Sequence, residues 1–117
     1  MVEKFQTILQ SIERQKGSVT LLALLKMDEV IDKWTVIFCA PWATESDRSG
    51  SFEFIKQQII KALTPEEIEE VARIGIFSKT DHLIQELLQY QSGTELKDKS
   101  INGNYVYLAQ IIKSNSS

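Results

Sequence analysis

The sequence predicts an α/β domain, with α+β as the neighbouring class, built on a five-stranded mixed sheet with helices packed on it. Three observations carry this. Trp34-Thr35-Val36-Ile37-Phe38-Cys39-Ala40 is an uncharged run of β-branched and aromatic residues that ends at Pro41, the pattern of a strand buried on both faces. Val19 to Leu25 is almost as apolar, and the link from there to Trp34 is too short for a parallel crossover, so the two strands pair antiparallel. Asn102-Gly103 is the strongest two-residue hairpin signal in the chain, because both residues tolerate the positive φ of a type I′ turn.

The elements follow in the order α-β-β-α-α-β-α-β-β. Phe5, Ile8, Leu9 and Ile12 recur at helical spacing and Gly17 stops the pattern, giving a first helix over about residues 3 to 16. The Val19 and Trp34 strands come next, with the second expected at the centre of the sheet. Phe52, Ile55, Ile59 and Leu63 mark a second helix starting near 51, or near 45 if Thr44 caps it, although Gly50 disfavours the longer form. Thr64-Pro65-Glu66-Glu67 has a capping residue, a proline at the first helical position and an acid three residues after the cap, so a short helix opens there. Ala72 to Phe77 reads as a third strand. Leu83, Ile84, Leu87 and Leu88 form the stripe of a helix opened by Thr80 or Asp81 and ended by Ser92-Gly93. Glu95 to Ile101 and Asn104 to Ile112 are the hairpin arms; the charged first arm is an edge strand and the apolar second arm lies further in. Residues 1–113 form one domain and 114–117 a disordered tail.

At 117 residues, 43% hydrophobic and 25% charged, the chain suits one globular core. The net charge of −3, with scattered Lys and Arg, gives no footprint for a phosphate backbone and makes nucleic acid an unlikely ligand. Cys39 is the single cysteine, so no internal disulfide forms and a reducing, cytoplasmic compartment fits. No apolar run reaches the ~18 residues of a membrane helix.

A long connection through two helices makes the second and third strands parallel and right-handed in their crossover. The loops after them, residues 42–51 and 78–82, then open at one end of the sheet, where ligands of open α/β sheets collect. Within this cleft Trp42 serves either as an anchor for a partner, with Arg48 and Lys79 adding anion contacts, or as a cap folded back on the core beside Trp34. His82 beside Asp81 has the composition of an oriented imidazole base, or is simply an exposed residue after a helix cap. Cys39 with His82 is the one thiol and base pair the chain can offer, yet a cysteine in an apolar strand normally packs as a small hydrophobe. Glu45, Asp47 and Asp81 are candidate ligands for a hard cation without calcium-loop spacing, and read better as solvated carboxylates. Glu95-Leu96-Lys97 matches the acid-x-lysine element of metal-dependent nucleases over three residues only. The isolated glycines form no phosphate loop. No cofactor or resident metal is implied.

The segment from Ser18 to Lys79 carries Asp32-Lys33-Trp34, Ala40-Pro41-Trp42, Asp47-Arg48 and Leu63-Thr64-Pro65-Glu66-Glu67. Over about half the chain it resembles small uncharacterised bacterial α/β proteins, with Ser49-Gly50 as a departure at the helix start. The resemblance implies a bacterial cytosolic setting and transfers no catalytic residue. The leading functional expectation is a non-enzymatic module that binds a protein or a second copy of itself, through a sheet edge or the Trp42 loop. The alternative is a small hydrolase or metal-dependent nuclease using Asp47, Arg48, Asp81 and His82.

Overall fold

The computed structural model describes residues 1–27, 32–43 and 45–115. Its elements are α1 (Val2–Lys16), β1 (Leu21–Met27), β2 (Trp34–Cys39), a 3-10 turn (Glu45–Asp47), α2 (Arg48–Ala62), α3 (Pro65–Glu69), β3 (Val71–Ile76), α4 (His82–Leu87), β4 (Glu95–Ile101) and β5 (Asn104–Ser114). The order and the five-stranded mixed sheet are those the sequence predicts. The strands lie in the order β3-β2-β1-β5-β4, with β1 antiparallel to β2 and β5, β2 parallel to β3, and β4 antiparallel to β5.

The central strand is β1, not β2. Both are apolar enough for the middle, but β5 returns to pair along the second edge of β1, while β2 takes the parallel β3 on its outer side. Side chains of β1 alternate between two cores. Leu22 and Leu24 meet Val36 and Phe38, covered by Phe5, Ile8 and Ile12 of α1 and Ile55 and Ile59 of α2. Leu21, Ala23 and Leu25 face the other way with Ile37 and Cys39, under Leu83, Ile84 and Leu87 of α4. Full burial of one such side chain contributes roughly 1.5 to 3 kcal/mol, so a strand buried on both faces fixes the three-layer arrangement.

Local chemistry ends most elements where expected. Gly17 closes α1 at φ 107°, and α3 opens with a complete capping box in which Thr64 accepts from the Glu67 N–H and Glu67 from the Thr64 N–H. The start of α2 lies between the two expected boundaries, at Arg48; the Thr44 cap falls outside the described residues. Gly50 sits in the first turn of α2, with the exposed Asp47 carboxylate folded against it. The α4 helix is six residues long and stops well before Ser92-Gly93. Its last turn tightens, with Gln89 and Tyr90 N–H groups donating to Glu86 and Leu87 three residues back. The final strand runs on to Ser114, and the Asn115 N–H donates to Thr20 O at 2.9 Å, so the order extends past residue 113; residues 116–117 lie outside the described set.

Ion pairs join distant parts of the chain. Lys113 of β5 pairs with Glu13 of α1, and Lys4 of α1 with Glu67 of α3. Glu67 is held down at about 2 by the Lys4 ammonium and the Thr64 N–H. A carboxylate depressed in the folded state contributes stability that is present above its unfolded value and lost as pH falls toward the folded one. Glu67→Gln retains a capping-box side chain but removes the titration. Its stability to denaturant is expected to fall less than the parent's between pH 5 and pH 2, in urea melts at a series of pH values.

The hairpin turn takes the expected positive φ at Asn102 (51°) and Gly103 (80°). A Cβ at Gly103 meets nothing within 4 Å, so substitution there is penalised by backbone conformation alone. Gly103→Val is expected to reduce stability by about 1 to 2 kcal/mol, measured by chemical denaturation at neutral pH.

Candidate functional site

The parallel pair β2 and β3 directs its two following loops to one end of the sheet, and a cavity of about 330 Å³ opens there. Thr20, Cys39, Ala40, Pro41, Ala43, Arg48, Phe77, Ser78 and Lys79 line it. Cys39 is the last residue of β2, and Pro41 and Ala43 turn the chain away toward α2, whose first residue is Arg48. On the other side the Phe77 N–H donates to Phe38 O at 2.9 Å, which extends the β2 and β3 ladder one step and delivers Ser78 and Lys79 to the rim. Thr20 enters from the start of β1, where its N–H donates to Cys39 O at 2.8 Å.

Two of the residues expected at the cleft, Arg48 and Lys79, thus share a cavity. Burial raises the Cys39 thiol above its ordinary value, against smaller opposing effects of the Thr20 hydroxyl and the Lys79 ammonium. The thiol is 2% exposed and stays protonated near neutral pH, the condition of a packing residue rather than a nucleophile.

His82 and Asp81 do not complete this cavity. The Asp81 carboxylate accepts from the Leu83 N–H at 2.9 Å and caps α4, which leaves His82 as an exposed first-turn residue. Asp81 also borders a separate cavity of about 380 Å³ with Thr35, Arg73, Gly75 and Asn104. Asp47 is exposed and turned onto Gly50. Arg48 thus lines the first of these cavities and Asp81 the second, with Asp47 and His82 in the lining of neither, and among the described residues no group of three or more His, Cys, Asp or Glu is placed to hold a metal. Glu95 and Lys97 pair with each other at 3.6 Å on the edge strand β4.

Trp42 turns inward at the cleft's margin. Its indole N–H donates to Gly17 O (3.3 Å) and Ser18 O (3.1 Å), and its ring packs on Phe38 at 5.5 Å and edge-on to Phe54 at 6.1 Å. It caps the α1 and α2 core at the end of β2 opposite Trp34, rather than beside it. The reason is local: the turn after Pro41 places the ring over the C-terminal end of α1, where Gly17 and Ser18 have carbonyls to offer. No protein-family model, curated protein or solved structure matches the chain.

What sequence reasoning missed is Thr20 and the outer edge of β3. Thr20 reaches the cavity only through the β1 and β2 register, which no local pattern encodes. The β3 edge is partnered by no other strand among the described residues. Beside it Phe52, Lys56, Ile59, Ile60, Ile68 and Val71 form an apolar groove of about 210 Å³.

Because Trp42 spends its ring and its N–H on internal contacts, Trp42→Ala is expected to lower stability by about 2 to 3 kcal/mol. Its sedimentation coefficient is expected to match the parent's at equal concentration. Denaturant melts and sedimentation velocity on the same preparation check both halves.

Proposed function

We propose that this chain is a non-catalytic module of the bacterial cytosol that associates with a second copy of itself through the outer edge of β3. The observation that carries this is the contrast between the two sheet edges. At β4 the edge strand presents Glu95, Lys97, Asp98 and Lys99, with Asp98 at φ 53°, charges and irregular backbone of the kind that discourages strand addition. At β3 the sequence Val71-Ala72-Arg73-Ile74-Gly75-Ile76 has one charge in six residues. The groove beside it exposes Ile60 by 40%.

The backbone pattern suits a symmetric partner. Phe77 donates toward β2, so by alternation the N–H and C=O groups of Ile76 and Ile74 point outward, and a register shift at the start of the strand places Ala72 at an irregularity. A two-fold axis at Ile74 aligns Ala72 with the partner's Ile76, and Arg73 with the partner's Gly75, so no two arginines oppose. Phe52, Ile60 and Ile68 then close over the junction from the helix side. The cytosolic setting is supported by the lone reduced cysteine and by the resemblance in Ala40-Pro41-Trp42 and its neighbours; no described helix is long and apolar enough to cross a membrane.

Ala72 is exposed, so Ala72→Lys places a charge on the edge without opening the core. The parent is expected to show concentration-dependent dimer in sedimentation velocity. Ala72→Lys is expected to be monomeric at the same concentrations with an unchanged melting temperature. A parent that stays monomeric at high micromolar concentration overturns the reading.

A further inference from the structure

We propose that Asn102 is a site of spontaneous deamidation, and that Glu86 holds its rate down by fastening the tip of the last hairpin to α4. The inference is independent of self-association, since neither residue lies on β3.

The reactive pair is Asn102-Gly103. A backbone nitrogen can attack the carboxamide carbon of the asparagine before it when its own residue has no side chain to obstruct the approach. After loss of its proton to solvent base, the Gly103 nitrogen bonds to Asn102 Cγ; the Cγ–Nδ2 bond breaks and the side-chain nitrogen leaves as ammonia. The five-membered imide so formed then takes up one water. Opening at Cγ gives aspartate, and opening at the backbone carbonyl carbon gives isoaspartate, with Gly103 now joined through Cγ. Nothing is oxidised or reduced.

The structure exposes the pair and restrains it. Both residues are open to solvent, and a Cβ at Gly103 would meet nothing within 4 Å, so water and base reach the tip. The Asn102 carboxamide makes no hydrogen bond among the described residues. Asn104, in contrast, donates through Nδ2 to Asn102 O at 3.3 Å and is followed by the bulky Tyr105. Restraint comes from the backbone. Asn102 is left-handed at φ 51°, a conformation that turns the Gly103 nitrogen away from the Asn102 side chain, so ring closure waits on opening of the turn. The Asn102 N–H donates to Glu86 Oε2, a charge-assisted bond to a helix anchored in the core by Leu83, Ile84 and Leu87. Glu86 thereby sets how often the tip opens.

Conversion has consequences because of what this turn sets. Its two residues fix the register in which Ile101 faces Asn104, and β5 carries that register to the second edge of β1. Isoaspartate adds a backbone atom inside a two-residue loop. Aspartate places a second carboxylate beside that of Glu86. Either product loosens the latch that slowed its formation.

The full chain is incubated at pH 8 and 37 °C, native and in urea, and the peptide containing residue 102 is resolved by chromatography and tandem mass spectrometry. The unfolded chain is expected to convert at Asn102, and the native chain more slowly by about tenfold or more. In the native state Glu86→Ala is expected to convert about fivefold faster than the parent, whereas Glu86→Gln, which retains an accepting oxygen, stays within about twofold of it. In urea all three chains are expected to convert alike, and circular dichroism matching the parent's shows that both variants are folded without it. A native parent with no product at position 102 after about a hundred unfolded half-times overturns the proposal. Native conversion as fast as unfolded, or a Glu86→Ala rate no faster than that of Glu86→Gln, does so equally.

Discussion

Everything in this molecule depends on the burial of β1 on all four sides. From Leu21 to Leu25 its side chains are entirely withdrawn from water, and its backbone is paired on both edges. A strand of this kind is stable only when two other strands flank it and a layer of apolar side chains lies on each face. The helices α1 and α2 provide one layer. The other comes from α4 together with inward residues of the C-terminal hairpin, Leu96, Ile101, Val106 and Ala109. That composite second layer explains why so short a helix as α4 is sufficient: the twisting hairpin closes the space that a longer helix would otherwise cover.

The cavity at the strand ends is a consequence of the same arrangement. Because β2 must lie antiparallel to β1 and parallel to β3, the chain leaves β2 and β3 at the same end, and two loops of opposite origin meet there. The fold thereby sets Arg48 and Lys79 across one space without any sequence proximity between them. The core on the helix side is sealed at that end by Trp42, whose hydrogen bonds to the terminal carbonyls of α1 tie the first helix to the loop that borders the cavity. The ring is therefore a neighbour and support of the site, with its polar atom already committed.

The fold was legible where local pattern and chemistry coincide. Periodicity located α1, the capping signals of Thr64 and Asp81 opened α3 and α4, the charged arm of the hairpin proved to be the edge strand, and Asn102-Gly103 turned as expected. Strand rank was not legible, because β1 and β2 carry the same all-apolar pattern and only the return of β5 distinguishes them. The end of α4 was misjudged since Leu88 continues the apolar stripe while its backbone already belongs to a turn. In the site, the loops and their two cations could be inferred from the parallel crossover. The Asp81 and His82 pair carried two readings in the sequence, an oriented imidazole or an exposed residue after a cap, and the structure has the cap, which claims the Asp81 carboxylate.

The position of β5 also bears on how the chain is made. On a ribosome, β1 and β2 emerge early and can pair at once, but the second neighbour of β1 is encoded only at residues 104–114. Until that strand is translated, the edge of a leucine-rich segment stays open to any extended chain nearby. Closure of the sheet is then a late, non-local event, of the kind that slows folding. Nascent chains halted between β4 and β5 would consequently be the form of this protein most in need of a chaperone.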